Sequence, residues 1–429
     1  MEKTIDLNSA LIPNQNLPSS VRHLEHCILC GRHELEVVFS LVPTPIADSY
    51  IIADQIDEVQ SIYPLDIALC CACGHVQLSD VVNAELLYGE YLYKTTTSPG
   101  LKAHFDAYAG QIIRQAGLKE GALAVDIGSN DGTLLKAFQE RGMRVLGIDP
   151  ARQIAQKASD AGIETLPAFF SLELAQEIRR GFGAAACITA NNVIANIDDL
   201  DSLVQAVREL LSPDGVFVFE TGYLLDLIKN LVFDNIYHEH LSYFAVNPLE
   251  KFFHRHGLEF VEIERVPTKG GSLRAIVQLV GGPRRPSASI EAIKNLELDF
   301  GLGLPLVFKR FAGTLQDAKD TLLRFLNPIR EQGKLIAGYG ASHSVTTLVF
   351  HFGLGGMIDF LVDDNPLKQG RFSPGCHLPV LSPDALCKQA PSYTLILPWR
   401  FADSIIKKHS SYLGKGGHFV LPLPALKVV

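Results

Sequence analysis

Four consecutive residues, Tyr237-His238-Glu239-His240, put a phenol, two imidazoles and a carboxylate side by side. A neutral imidazole has its ordinary pKa near working pH and can take a proton from a carbon acid. A carboxylate can hold that imidazole in one tautomer and stabilise its charged form. A phenol can donate to an oxygen where negative charge develops. Together these residue types suit removal of a proton next to a carbonyl. Taken alone, the four residues would better suit a satisfied polar turn after Phe233.

A second stretch, Asp126-Ile-Gly128-Ser129-Asn130-Asp131-Gly132, suits a cofactor. Its glycines permit a tight turn and a close backbone approach where a strand passes into a helix. The Gly-x-Gly-x-x-Gly spacing of dinucleotide sites is absent. The form is that of S-adenosylmethionine (SAM) methyltransferases. Asp149-Pro150 closes the following strand, where an acid can accept both ribose hydroxyl protons. Asn191-Asn192 ends the next strand and is expected on the methionine side.

Eight cysteines occur, five of them in two N-terminal clusters. Cys27-Ile-Leu-Cys30-Gly31 and Cys70-Cys71-Ala72-Cys73-Gly74 stand 39 residues apart. Two such knuckles supply four thiolates for a closed, structural zinc site, one ion per chain. Cys71 is spare, and a ligand set using Cys71 or His75 stays open.

These groups need a framework to place them. The 429 residues exceed one typical core, so two or three domains are expected. A net charge of -9 argues against a nucleic-acid partner. No apolar run is long enough to span a membrane. Met1–Ser20 is polar, with Pro13 and Pro18, and lacks a secretory core. The reading is a cytoplasmic protein, taken as a monomer, with a flexible tail over 1–20 and a zinc-binding module over 21–85. A SAM domain over 86–280 and a C-terminal Rossmann-like domain over 281–429 follow. Ala122–Ile127, Val145–Asp149, Ala184–Ala190 and Val216–Glu220 read as buried strands alternating with helices at Thr133–Arg141 and Leu200–Leu211. Ser212-Pro213-Asp214-Gly215 reads as a turn. That alternation predicts an α/β fold with a doubly wound parallel sheet. Leu335–Ala337 opening into Gly338-Tyr339-Gly340-Ala341, and Asp359–Val362 ending in Asp363-Asp364, predict a second such sheet.

The ordered motifs resemble the zinc-containing, SAM-dependent sugar C-methyltransferases that act on nucleotide-linked keto-sugars, such as the C-3 methyltransferases of tetronitrose biosynthesis. The resemblance covers nearly the whole chain. It rests on the paired knuckles, Tyr63-Pro64-Leu65, Tyr91-Leu-Tyr93 with Ser98 and His104, and the Asp126–Gly132 loop. Further on it rests on Ile236–His240, Gly270-Gly-Ser-Leu-Arg274, Gly338–Ala341 and Asp364-Asn-Pro-x-Lys-Gln-Gly370. It implies a nucleotide-sugar held between the last two domains. It implies His240 as general base, with Glu239 and Tyr237 beside it and Tyr93 near donor and substrate. Substrate contacts are expected at Asn196, His238, Lys269, Ser272, Arg274, Tyr339 and His343. The implied reaction deprotonates the carbon alpha to the ketone of a deoxy-keto-sugar, C-3 of a 4-keto-sugar. The enolate carbon then attacks the sulfonium methyl.

Some positions depart from the family's pattern. Asn196 stands where histidine is usual, Ser344 and Phe350 where a lysine and an asparagine are usual, and Arg400 where an asparagine is usual. The lost lysine suits a phosphate; either His343 takes a similar role or the nucleotide is bound differently. These changes spare the SAM loop and the base. They bear on the sugar, its nucleotide and the methylated carbon. Two other readings remain: an O- or N-methyltransferase of another small molecule, and a non-catalytic, zinc-stabilised binding module.

Overall fold

Five parallel strands and an antiparallel hairpin form the sheet that carries the cofactor loop. In the computed structural model, which describes residues 20–83, 86–87 and 100–429, the spatial order is Leu258–Val266, Ser272–Leu279, Leu211–Gly222, Ala185–Asn191, Leu123–Ile127, Arg144–Ile148 and Thr165–Leu166. The strands from Leu211–Gly222 to Thr165–Leu166 are parallel, and the last two in sequence close one edge as a hairpin. Leu123–Ile127 is buried at every position, as a strand covered by helices on both faces must be. From it the chain first builds outward through Arg144–Ile148 and Thr165–Leu166, then crosses to Ala185–Asn191 on its other side. That reversal opens a crevice at the carboxyl ends of the strands. The expected turn at Ser212–Gly215 lies inside the Leu211–Gly222 strand, as a register shift between Leu211 and Val216.

A second sheet runs Val380–Leu381, Phe360–Val362, Ile336–Tyr339, Tyr393–Ile396, His418–Leu421 and Lys427–Val428, parallel except for the last. Two helices, Ala288–Phe300 and Pro305–Glu331, join the sheets.

The N-terminal sheet pairs Leu35–Thr44 with Tyr63–Cys70 and that with Val76–Leu78. Its fourth strand, Ser242–Tyr243, arrives from far along the chain, just after His240. The long helix packs beneath this sheet, with Phe39 and Phe311 at a centroid distance of 5.3 Å. Between the first two strands, Ile51 and Phe372 exchange backbone hydrogen bonds of 3.1 and 2.8 Å, so the module also reaches the C-terminal sheet. Among the described residues no helix is long and apolar enough to cross a membrane.

Candidate active site

The two cysteine knuckles fold alike. The Gly31 N–H donates to the Cys27 carbonyl and the Gly74 N–H to the Cys70 carbonyl, each at 2.8 Å, with φ of +73° and +84°. Only glycine adopts that conformation cheaply. The four sulfurs of Cys27, Cys30, Cys70 and Cys73 come within 4.8 Å of one another, with Cys27–Cys73 at 3.6 Å and Cys30–Cys70 at 3.5 Å. Zinc–sulfur bonds of about 2.3 Å give tetrahedron edges of about 3.8 Å, so the ion fits. Cys71 is exposed and its thiol meets Glu36, while buried His75 meets Ser242 Oγ at 3.2 Å. Neither joins the ligand set. With four thiolates the zinc is structural and has no open position.

At the mouth of the first sheet, Gly128 has φ +69°, and a Cβ there would lie 2.4 Å from Val193. Gly132, at +74°, opens the Thr133–Gln139 helix. Asp126 is buried and accepts from Thr189 Oγ1 at 2.6 Å; burial pushes its carboxyl up to about 7. Asp149 accepts the Asn130 and Ala151 N–H groups, one on each oxygen at 2.9 Å, across the Pro150 turn. Each oxygen keeps a further lone pair for a ligand hydroxyl. Asn191 Oδ1 accepts the Glu220 N–H, and Asn192 sits at φ +56°. Ser129 Oγ and Asn191 Nδ2 are buried without a protein partner. Such groups cost stability unless a ligand or water meets them. They leave the crevice with two buried polar atoms that a ligand could meet.

The Tyr237–His240 turn follows a short 3₁₀ segment, Phe233–Asn235. His240 Nδ1 lies 2.8 Å from the Asn235 carbonyl. A carbonyl only accepts, so Nδ1 carries the hydrogen and Nε2 keeps its lone pair. Desolvation of the cation brings the imidazole pKa down to about 4, leaving it neutral at neutral pH. The Tyr237 ring lies 4.1 Å from that of His240 and 5.7 Å from that of His343. Glu239 does not take the tautomer-fixing place expected of it. Neighbouring side chains leave the turn in different directions, and its carboxylate lies 3.2 Å from His343 Nε2. Burial raises the Glu239 carboxyl, but the charge and hydrogen bond of His343 outweigh that and hold it below the ordinary range. His238 turns toward the zinc module, with Nε2 3.3 Å from the Tyr63 carbonyl, and burial lowers it to about 4. Together with Glu239, Asn196 and Arg22 it lines a separate cavity of about 300 Å³.

His240 lines a cavity of about 40 Å³ with Asn192, Thr221, Tyr243 and Lys269. The cavity thus places His240 beside Asn192, which follows the Ala185–Asn191 strand. Thr221 Oγ1 and the Tyr243 hydroxyl are buried without a partner. Sequence reasoning missed both, because Tyr243 sits in a mostly apolar run that reads as core and Thr221 merely ends a strand after Glu220. Lys269 also lines a cavity of about 420 Å³ with Lys229, Trp399 and Arg400. Ser272 Oγ donates to the Thr268 carbonyl at 3.0 Å and so braces the Gly270-Gly271 turn. Arg274 is committed elsewhere: its Nε donates to Glu220 at 2.7 Å and its guanidinium to Gln111 at 2.8 Å, over the Tyr108 ring. His104 meets both oxygens of the same Glu220 at 2.9 Å. Glu220 was overlooked, although it is the one charge following the apolar Val216–Phe219 run. The Tyr339 hydroxyl donates to Asp364 at 2.8 Å in the second sheet. Arg400 binds both oxygens of buried Asp234, at 2.7 and 2.9 Å. Tyr91, Tyr93 and Ser98 lie outside the described residues, as does the tail over 1–19.

Three family models match in series: a zinc binding domain at residues 27–88, a methyltransferase domain at 102–263 and a C-methyltransferase C-terminal domain at 267–424. The C-methyltransferase NovU of Streptomyces niveus is 32% identical over 411 residues, covering 95% of this chain and 98% of that one. Among solved structures, magnesium protoporphyrin IX methyltransferase from Synechocystis PCC 6803 with bound SAH is 13% identical over 45% of this chain and 90% of that one, with a TM-score of 0.34. A SAM-dependent methyltransferase from Clostridium acetobutylicum is 15% identical over 46% and 96%, also at 0.34.

Proposed function

We propose that this chain, which belongs to the zinc-containing, SAM-dependent C-methyltransferase family, methylates the carbon alpha to the ketone of a nucleotide-linked deoxy-keto-sugar, C-3 of a 4-keto-sugar. The observation that supports this most is His240: a neutral imidazole with Nδ1 tied to a carbonyl, in one cavity with Lys269 and with Asn192 of the cofactor crevice. Methylation of oxygen or nitrogen would not need a base for a carbon-bound proton.

SAM supplies an electrophilic methyl on a sulfonium. His240 Nε2 takes the α-proton, and the C–H electrons form the enolate. Lys269 and the two unpartnered hydroxyls, Thr221 and Tyr243, suit the oxygen on which charge grows. Tyr237 covers the imidazole ring and holds its orientation. The enolate carbon forms the new C–C bond, the S–CH₃ bond breaks toward sulfur, and S-adenosylhomocysteine leaves. Lys229 and Lys269, in the larger cavity beside Trp399, suit a nucleoside diphosphate between the two sheets.

The test is incubation with SAM and a panel of nucleotide-linked 4-keto-sugars, read by mass spectrometry. A product carrying one added methyl on carbon, with α-proton exchange into deuterated solvent, is expected. Methyl transfer to oxygen or nitrogen without exchange would overturn the reading.

A further inference from the structure

Behind the catalytic turn, four largely buried ionisable groups from three parts of the chain alternate in charge. Glu239 lies 3.2 Å from His343 Nε2, which lies 3.8 Å from Asp48, and Lys368 Nζ lies 2.5 Å from the same Asp48. The side chains of Glu239, His343, Asp48 and Lys368 are 6%, 14%, 15% and 9% exposed, so water screens them weakly. Glu239 belongs to the catalytic turn. His343 opens the His343–Phe352 helix beside the second sheet. Asp48 lies within the stretch matched as a zinc binding domain.

We propose that Asp48 and His343 are positioning residues for methyl transfer: Asp48, carried on the zinc module, holds His343 as a cation, and His343 holds the Glu239 carboxylate and the Tyr237 ring in place beside His240. This rests on the reading of His240 as the base. The charge balance supports it. With His343 charged, the four groups sum to zero. With His343 neutral, two buried carboxylates share one ammonium, and uncompensated buried charge is costly. The groups facing the imidazole are Glu239, Tyr237 and His240 from the turn, Asp48 from the module and Lys368 from the second sheet's loop; Lys269 acts on it through Glu239. Burial lowers the imidazole pKa, Asp48 and Glu239 raise it by more, and Lys368 lowers it again; the net effect is upward.

A histidine is a cation that pH can discharge. Its raised folded pKa means that the charged form is complete below the ordinary value and is lost as pH rises through the folded one. Methyl transfer therefore falls along an alkaline limb set by His343. The two neighbours act on that limb with opposite sign. Asp48→Asn removes an anion, so the limb moves down by about one pH unit, the usual effect of a charge at this range. Rate on the alkaline limb then falls about tenfold, with a smaller loss on its acid side and SAM affinity unchanged. Lys368→Met removes a cation, so the limb moves up.

The experiment measures kcat against pH for the parent and both variants. It also follows the ¹³C-edited imidazole signal of His343, assigned by its absence in His343→Gln. The imidazole titration needs no substrate, so it stands even if no keto-sugar turns over. Opposite shifts in both the titration and the alkaline limb are expected. Equal loss of rate at every pH in both variants, or titration shifts of the same sign, would overturn the assignment. Shifts of opposite sign that the rate does not follow would overturn it as well.

Discussion

Asp149 and Asp363 close the second strand of their respective parallel sheets, and their surroundings are nearly superimposable in logic. The Gly128 N–H donates to Ile148 O at 2.8 Å, and the Gly340 N–H to Val362 O at 2.7 Å. Asp149 accepts from Asn130 and from Ala151 two residues on; Asp363 accepts from Ala341 and from Asn365 two residues on. The device of acid and glycine loop is therefore the same in both halves. What differs is what remains unmet. Around the first loop, Ser129 Oγ and Asn191 Nδ2 lack partners. Around the second, Tyr339 donates to Asp364, Lys368 donates to the Ala341 carbonyl, and Lys408 pairs with Asp364. The lesson is that a glycine loop with an acid builds a stable strand–helix corner in either setting. The unpaired polar atoms beside the first loop are what a bound ligand would meet.

That contrast can be broken at several points. The largest effect belongs to the mouth of the first sheet: His240→Ala is expected to slow methyl transfer by about 10²–10⁴-fold and leave SAM binding nearly intact, the range for a positioned acid–base group. Single-turnover kinetics with calorimetry of SAM binding checks both halves of that statement. Next come the two acids as a matched pair. Asp149→Ala should weaken SAM binding by roughly 1.5–3 kcal/mol, the range for hydrogen bonds to a charged group. Asp363→Ala should leave SAM affinity alone and lower the unfolding midpoint; equal weakening of SAM binding by both would dissolve the contrast. A pH series adds a smaller effect. His240 is depressed to about 4, so the base form is present above that value and is lost as pH falls through it. The substrate-limited rate should stay level from about pH 7 to about pH 5, where an ordinary histidine with a pKa near 6.5 would already cost activity. Over the same interval stability should fall, because the unfolded chain takes up protons that buried His238 and His240 refuse. Smallest is Thr347→Val, which removes the 2.8 Å hydrogen bond from the second sheet's helix to the Ile236 carbonyl. About 0.5–1.5 kcal/mol of stability should go, with SAM affinity unchanged in a titration.

Much of this was legible before the fold. Buried parallel strands are apolar runs, so Leu123–Ile127, Ala185–Asn191 and Ile336–Tyr339 announced themselves, and the glycines and acids after them gave the corners. The cysteine spacing gave the zinc ligands, because a knuckle is local. Contacts across long separations were not legible. Nothing near Glu239 in sequence points to His343, and a carboxylate next to a histidine invites the wrong pairing. Arg274 and Glu220 illustrate the same limit: opposite each other on adjacent antiparallel strands, they saturate one another in a way only the register reveals. Tyr243 looked like core because its run, Leu241–Phe244, is mostly apolar, and only the missing partner of its hydroxyl sets it apart.

Two residues of strand pairing join the Tyr237–His240 turn to the zinc module: Ser242 faces Gln77 and Tyr243 faces Val76, beside a His75–Ser242 bond that spans 167 positions of sequence. A two-residue strand has no stability of its own and needs a finished edge to dock on. Closing so long a loop costs only a logarithm of its length, but the template must exist first. During synthesis the knuckles emerge early, and once metal has closed them the edge strand Val76–Leu78 is ready before residue 237 has been made. Ser242–Tyr243 then docks as the sheet's last strand and carries the adjoining Tyr237–His240 turn with it. The Cys70 and Cys73 ligands therefore stand directly before the strand edge on which Ser242–Tyr243 docks. Chains refolded without zinc are expected to leave Ser242–Tyr243 undocked, checked by hydrogen exchange over those two residues.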